Sequence, residues 1–419
     1  MLKRKWCALI TLLAVLLVPI AAWGSVVYTV VDDTYASGSM GRVPVSASGV
    51  PGTPVRNVVT NLGGDHQVYG FRNEENALRV LLAQYARGQS DTVWIYDARG
   101  EYRAPLKEAR WRSFSNSRGA AAMGRYLYVV DYDNAKVSKI DTRSDAYGEV
   151  SSFAFSGTAG YDVHGEGIVR VGDYLFALFN EVKGDWSSLE YADGKVVKLD
   201  GDLNVVATAN VGKNALSIKA YNGMLYVVGN GGMQKGGDFN PDSMIQRVHP
   251  NTLAVETLLK ADGASATALP DGWGYDFRDL AFAANGDVYV FAGAYDATWS
   301  QFDSRIFKTT LQGLAAGNVG EVYRDPSGPG FTWRMEYDNV DGILWFAAGT
   351  RLMAYKGAES WEFGPAALGG NFYSFVVVDA PVNPAPGGSG GGCNSAGFPA
   401  FFLLALLPLL CVRAKGGRS

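Results

Sequence analysis

Gly124-Arg125-Tyr126-Leu127-Tyr128-Val129 is the stretch on which the fold turns, because it comes back. A glycine, then an aliphatic residue, an aromatic and a further apolar residue recur at Gly172-Asp173-Tyr174-Leu175-Phe176-Ala177 and Gly223-Met224-Leu225-Tyr226-Val227. Two more copies are Gly286-Asp287-Val288-Tyr289-Val290 and Gly342-Ile343-Leu344-Trp345-Phe346. The aromatic positions stand 48, 50, 63 and 56 residues apart. Behind each copy lies a further β-rich run: 137–141 (VSKID), 196–200 (VVKLD), 245–249 (IQRVH), 306–310 (IFKTT) and 352–355 (LMAY), with 93–97 (VWIYD) upstream. Several alternate apolar with polar residues, as a half-buried strand does.

A period of about 50 residues built from short strands broken by Gly, Asn and Asp is the pattern of a β-propeller blade. One blade cannot bury both of its faces, so the repeat must close into a ring. The series Tyr128, Phe176, Tyr226, Tyr289 and Trp345 then belongs between neighbouring blades, where rings fill a wedge-shaped gap. Innermost strands are expected to start near His66, Arg118, Glu166, Leu216, Arg278 and Trp333. The runs 26–31, 42–46 and 55–61 lack an inner strand, and 372–378 (FYSFVVV) can supply it. The expectation is an all-β propeller of seven four-stranded blades over 25–380, closed by a terminal strand clasp, with six or eight as the neighbouring counts. Insertions at 230–242 and 295–303 are expected to project from one face.

The chain has 419 residues, 47% of them hydrophobic and 19% charged. Those figures exclude a disordered tail protein and a strongly basic nucleic-acid binder. Six basic residues lie in end segments that hold no acid: Lys3, Arg4, Lys5, Arg413, Lys415 and Arg418. Without them the formal charge of −4 becomes −10, so the body should repel nucleic acid and anionic lipid.

The two ends carry addresses. Lys3-Arg4-Lys5, the apolar run 9–22 and the small-residue exit Ala22-Trp23-Gly24 form a secretory signal peptide, with cleavage expected after Gly24. A retained anchor is the alternative, but the run is short for a stable span. At the far end, a Pro/Gly-rich linker at 381–392 leads into Cys393, an apolar run from Phe398 to Val412 and a basic end. Gly390-Gly391-Gly392-Cys393-Asn394-Ser395-Ala396-Gly397-Phe398, with Leu403-Leu404-Ala405-Leu406-Leu407-Pro408-Leu409-Leu410, closely resembles the Synergist-type C-terminal sorting domain. That family is related to the tripartite tails handled by rhomboid-type sorting proteases. The resemblance covers about the last 30 residues of the sequence and implies a bacterial envelope. It implies processing or anchoring at Gly391, Gly392 and Cys393, contact with export and sorting machinery, and retention at the cell surface. An ordinary C-terminal transmembrane helix is the alternative and leads to nearly the same location. The other two cysteines, Cys7 and Cys411, also lie in the end segments, so the body has no thiolate chemistry.

Propeller ligands are expected at one mouth of the central channel, on the loops entering the innermost strands. In this register those positions carry Asp65 and His66, Arg118, His164, Glu166, Lys219, Arg278, Asp279, Arg334 and Glu336. Arginine pairs would hold a carboxylate or a sugar. Solvated loop residues, or ion pairs bracing the channel, are the structural alternative. His164 with Glu166 is the best acid/base pair, with Asp279 as a further catalytic candidate. Three histidines in the whole chain make a three-His metal site improbable. Asp131-Tyr132-Asp133-Asn134 resembles the start of a calcium loop but lacks its glycine and distal Glu, and a tight turn is the better reading. No cofactor is expected.

The body is similar in architecture to bacterial extracytoplasmic propellers. It lacks the Trp-Asp mark of the WD40 class, and Asp279-Leu280-Ala281-Phe282 before Asn285-Gly286-Asp287 is faintly similar to gluconolactonase-like and NHL-type blades. The leading expectation is a binding or interaction module that presents its loops to an extracellular ligand or envelope protein. The alternative is a propeller hydrolase, lactonase or lyase with its site in the central channel. An enzyme should gather its charged residues on one pocket.

Overall fold

The repeated glycines stand in tight turns. In the computed structural model of the chain, Gly124, Gly172, Gly223, Gly286 and Gly342 have φ of 58°, 60°, 72°, 94° and 72°. Each closes the tight hairpin that joins an innermost strand to the second strand, where a side chain would be strained. The structure describes residues 24–33, 37–62, 66–72, 78–84, 92–97, 107–110, 116–143, 148–185, 188–232, 240–261, 276–295, 302–328 and 334–378. The leader up to Trp23, Gly391, Gly392, Cys393 and most of both insertions lie outside the described residues.

The described chain is an all-β propeller of antiparallel four-stranded sheets. Six sheets each come from one continuous stretch. The first is β4 (His66–Arg72), β5 (Leu78–Gln84), β6 (Thr92–Asp97) and β7 (Lys107–Arg110). The next is β8 (Ser117–Met123), β9 (Tyr126–Asp131), β10 (Lys136–Asp141) and β11 (Gly148–Ala154). It is followed by β12 (Asp162–Val171), β13 (Tyr174–Lys183), β15 (Asp193–Leu199) and β16 (Val205–Lys213), with the short β14 (Glu190–Tyr191) beside β13. Then come β17 (Ala215–Tyr221), β18 (Met224–Gly229), β19 (Met244–Val248) and β20 (Val255–Lys260). The last two are β21 (Asp276–Phe282), β22 (Asp287–Tyr295), β23 (Phe302–Thr310) and β24 (Gly320–Gly328), and β25 (Met335–Asp338), β26 (Ile343–Ala348), β27 (Arg351–Lys356) and β28 (Glu359–Phe363). A further four-stranded sheet is composite. Its order is β29-β1-β2-β3, so β29 (Phe372–Val378) pairs with β1 (Val26–Asp33), and β2 (Ser37–Pro44) and β3 (Val55–Leu62) follow.

The second strands β9, β13, β18 and β26 are buried almost end to end, and the repeated aromatics are 0–6% exposed. Each packs across to the next sheet. Tyr128 meets Leu175 and Phe179, Phe176 meets Leu225, and Tyr226 meets Phe277 and Leu280. Tyr289 meets Met335 and Phe346, and Trp345 meets Val27 and Phe375 of the composite sheet. On its other face the composite sheet packs Tyr28 and Val376 on Val68 of β4. Burying such a ring stabilises the folded state by about 1.5–3 kcal/mol each. These rings are therefore core. Two short helices, α1 (Leu311–Ala315) and α2 (Pro365–Leu368), sit in connections. Among the described residues no helix is long and apolar enough to cross a membrane.

Candidate functional site

Innermost strands run along the channel, and a shared irregularity decides what they present to it. The pairing of β8 with β9 passes from Ser117 to Gly119 and leaves Arg118 out of the ladder. The same step leaves out Glu166 between β12 and β13, Leu216 between β17 and β18, and Arg278 between β21 and β22. Tyr373 is skipped in the same way where β29 meets β1. A bulge of this kind re-aims one side chain and sharpens the local twist. Four of the strand starts expected from the repeat, at Arg118, Glu166, Leu216 and Arg278, are thus bulge residues.

The innermost strands surround a cavity of about 640 Å³. Its wall includes Arg118, Glu166, Lys219, Asp279, Arg334 and Glu336, so five of the seven ligand-binding candidates and Lys219 meet on one space. The volume suits a small polar molecule. His164 and Arg278 are not part of that wall.

Glu166 has the most unusual environment. Protein encloses its carboxyl apart from the cavity side, and this burial pushes its pKa up to about 7, against the pull of Arg118 and a hydrogen bond from Asn180. Asn180 Nδ2 donates to Glu166 Oε1 at 3.1 Å and to Asn214 Oδ1 at 3.1 Å. Asn214 Nδ2 in turn donates to Asn230 Oδ1 at 2.7 Å, which also accepts from the Gly232 backbone. The chain of amides fixes the Glu166 oxygen from behind. Arg118 lies over the Tyr132 ring at 4.7 Å, and burial together with the Glu166 charge raises the Tyr132 hydroxyl.

Across the channel Glu336 is also raised by burial, and is held back by Arg334 and Lys219. Its Oε2 accepts from Val377 N at 3.2 Å. Arg334 donates to Val68 O at 3.2 Å and lies 5.5 Å over Tyr69. Asp279 is 2% exposed and fully engaged. It accepts from Ser217 Oγ at 2.5 Å, Leu280 N at 2.9 Å and Met335 N at 2.7 Å, with Lys219 Nζ 3.3 Å away. Three adjacent sheets are tied together by this one carboxylate.

His164 stacks on Tyr132 with centroids 4.2 Å apart, and its Nδ1 lies 3.3 Å from Tyr132 O. Burial lowers its pKa, which favours the neutral ring. Arg278 turns to Asp276 at 3.7 Å and lies 5.4 Å over Phe302. Burial pushes Asp276 up to about 6 despite that neighbour. Asp131 accepts from Asn134 N at 3.2 Å and from Asn134 Nδ2 at 2.9 Å, which closes the Asp131–Asn134 run as a turn. Among the described residues no three His, Cys, Asp or Glu side chains are grouped to hold a metal ion.

Reading by sequence passed over Asn180, Asn214 and Asn230. A signal was present: Asp131, Asn180 and Asn230 each stand as a polar residue at the end of the apolar run of a second strand. At that place a polar side chain has no core to enter: Asn180 reaches the bulge residue Glu166, Asn230 reaches Asn214 and Asp131 turns back to Asn134.

Neither the protein-family models nor the curated proteins give a match. Solved structures do. The chain is similar to a Bacteroides fragilis protein assigned provisionally as a 6-phosphogluconolactonase, with TM-score 0.57 and 10% identity over 85% of this chain and 98% of that one. A Bacteroides uniformis protein with the same provisional assignment matches with TM-score 0.55 and 12% identity, over 85% of this chain and 99% of that one. A periplasmic gluconolactonase from Pseudomonas aeruginosa matches with TM-score 0.55 and 13% identity, over 85% and 100%. At such identities the likeness is one of fold.

Proposed function

We propose that the protein is a hydrolase that opens a small polar lactone in its central channel, with Glu166 as the acid/base group. The observation that carries this reading is the Glu166 carboxyl, held near pH 7 on the wall of a cavity that also exposes Arg118. A carboxyl with such a pKa can take a proton from an attacking water and return it to the ring oxygen that leaves. Water and lactone are consumed, and one hydroxy acid forms. The guanidinium of Arg118 supplies positive charge for the carbonyl oxygen as it becomes an oxyanion. Lys219, Arg334 and Glu336 would bind the hydroxyls and the acid product. The gluconolactonase names of similar folds point the same way, as analogy only. Among the described residues the exposed large apolar side chains are seven valines and Tyr174, which lends little to a rim that docks a protein.

The test offers the purified protein a panel of aldonolactones and follows acid release at pH 7. Glu166→Gln should lower kcat/KM at least ~100-fold with the fold intact. A wild-type protein that binds members of the panel in calorimetry and opens none would reverse the reading in favour of a binding module.

We also infer that the composite sheet is a blade in its own right, which makes seven. It has four strands and packs on a neighbour at each face. Export and envelope retention are part of the same proposal, supported by Lys3-Arg4-Lys5 with its apolar run and by the Gly391-Gly392-Cys393 tail. Intact mass of the protein from the native envelope tests both ends.

A further inference from the structure

Ser25 lies at the seam where the composite sheet meets the sheet β25–β28. It is fully buried. Its backbone nitrogen donates to Asp341 Oδ2 at 2.6 Å and its hydroxyl to Asp338 Oδ1 at 2.9 Å. Its carbonyl accepts from Val45 N at 2.9 Å, which extends the β1–β2 ladder by one rung. Asp338 Oδ1 also takes the Val340 and Asp341 amides, while its Oδ2 is buried with no hydrogen-bond partner. No ion pair reaches either acid among the described residues. Lys356, in the same corner, donates to Gly49 O at 3.3 Å instead.

Gly24 completes the niche. A Cβ there would fall 2.7 Å from Ser46 O, 2.8 Å from Val45 O and 2.9 Å from Asp341 Oδ2. Three oxygens therefore crowd this point of the chain, and only glycine fits. Two neighbouring acids, one with a buried carboxylate oxygen that has no partner, make a place that favours a cation, and a single amide N–H uses little of it. Burial, with Asp341 adding, pushes Asp338 up to about 6, as expected where that cation is missing.

We propose that the mature chain begins at Ser25 and that its α-ammonium is held in this niche by Asp341 and Asp338, so that removal of the leader locks the seam of the ring. The proposal rests on the export reading. A signal peptidase would hydrolyse the Gly24–Ser25 bond: water adds, Gly24 departs with the new carboxylate, and Ser25 keeps the amine. That amine is mostly protonated at neutral pH. The amide-to-carboxylate hydrogen bond is thereby replaced by an ammonium–carboxylate ion pair, with two further N–H donors for neighbouring oxygens. Before cleavage the seam has its apolar packing; after cleavage it also has an ion pair between the two sheets.

The first readout is the amino-terminal sequence of the protein recovered from its native envelope, which should start at Ser25. The second compares two chains released from a cleavable fusion, one starting at Ser25 and one at Trp23, each with and without Asp341→Asn. The substitution should lower Tm by about 2–4 °C more in the chain that starts at Ser25. An equal loss in both chains, or a processed terminus elsewhere, overturns the proposal alone. A native chain that still carries Met1 overturns the export reading and this proposal with it.

Discussion

Glu166 and Asp279 stand one residue apart in the repeat, on opposite treatments of the same bulge. Glu166 is the residue that the ladder skips, and Asp279 is the one that follows the skipped Arg278. Glu166 receives a single amide hydrogen bond from Asn180 and faces the cavity with a carboxyl raised to about 7. Asp279 is buried, takes three donors from its own and neighbouring sheets, and has Lys219 beside it. Both are acids on one channel wall, yet one has the raised pKa on which the proposed proton transfer rests and the other ties three sheets together. The number of partners, rather than the residue type or the burial, separates the roles.

The largest effect expected from this contrast is on stability. Asp279→Ala leaves the Ser217 hydroxyl, the Met335 amide and Lys219 without their acceptor across three sheets. It should cost about 3–5 kcal/mol in urea unfolding, by the usual toll of breaking a buried pair. A loss under ~1 kcal/mol would mean that Asp279 is no strut and would return it to the list of proton-transfer groups.

Glu166→Gln sharpens the contrast from the other side. The folded pKa is raised from 4.5 to about 7, so the proton binds the folded state more tightly than the unfolded one. The stability this contributes is fully present below pH 4.5 and is lost as the pH rises through about 7. The glutamine variant has no such loss. Its advantage over the parent should grow between those pH values and level off above, at about 1–2 kcal/mol once cavity water is allowed for. Activity should move the opposite way, with a loss of at least ~100-fold. Stability and activity that fall together at pH 8 would break the distinction.

Much of the architecture was legible because it is periodic. A glycine forced to positive φ and an aromatic forced between sheets recur in every copy from Gly124 to Trp345, and one misread copy would still leave four. The places of Arg118, Glu166, Leu216 and Arg278 on innermost strands were readable for the same reason. Side-chain direction was not. A bulge adds one residue without leaving a mark in the apolar pattern, and direction along a strand alternates with every residue. Arg278 and Asp279 therefore could not be told apart as cavity wall or seam. His164 and Glu166 read as one acid/base pair because an ordinary histidine titrates near neutrality, whereas burial here treats them oppositely, lowering His164 and raising Glu166.

Arg118 tests a smaller effect on the Glu166 side. Its charge is the main influence that holds the Glu166 carboxyl down against burial. In Arg118→Met the carboxyl should rise by about one further unit, and the acid limb of the pH–rate profile should move up with it. Arg118→Lys keeps the charge and should leave the limb within a few tenths. A limb indifferent to both would detach the profile from Glu166.

His164 should matter least. It lies on the far side of Tyr132 from Arg118, with one face spent on the Tyr132 ring and Nδ1 turned to the Tyr132 carbonyl. Burial lowers its pKa and favours the neutral ring, and the ring stands outside the cavity wall. What it gives is a flat surface that keeps Tyr132 under Arg118. His164→Phe preserves that surface and should change kcat/KM by less than ~3-fold, with the pH limb unmoved. His164→Ala removes it, and should act through Arg118 by loosening substrate binding more than turnover. A His164→Phe variant with a ~100-fold lower kcat would put the histidine back in the reaction and make Glu166 its partner.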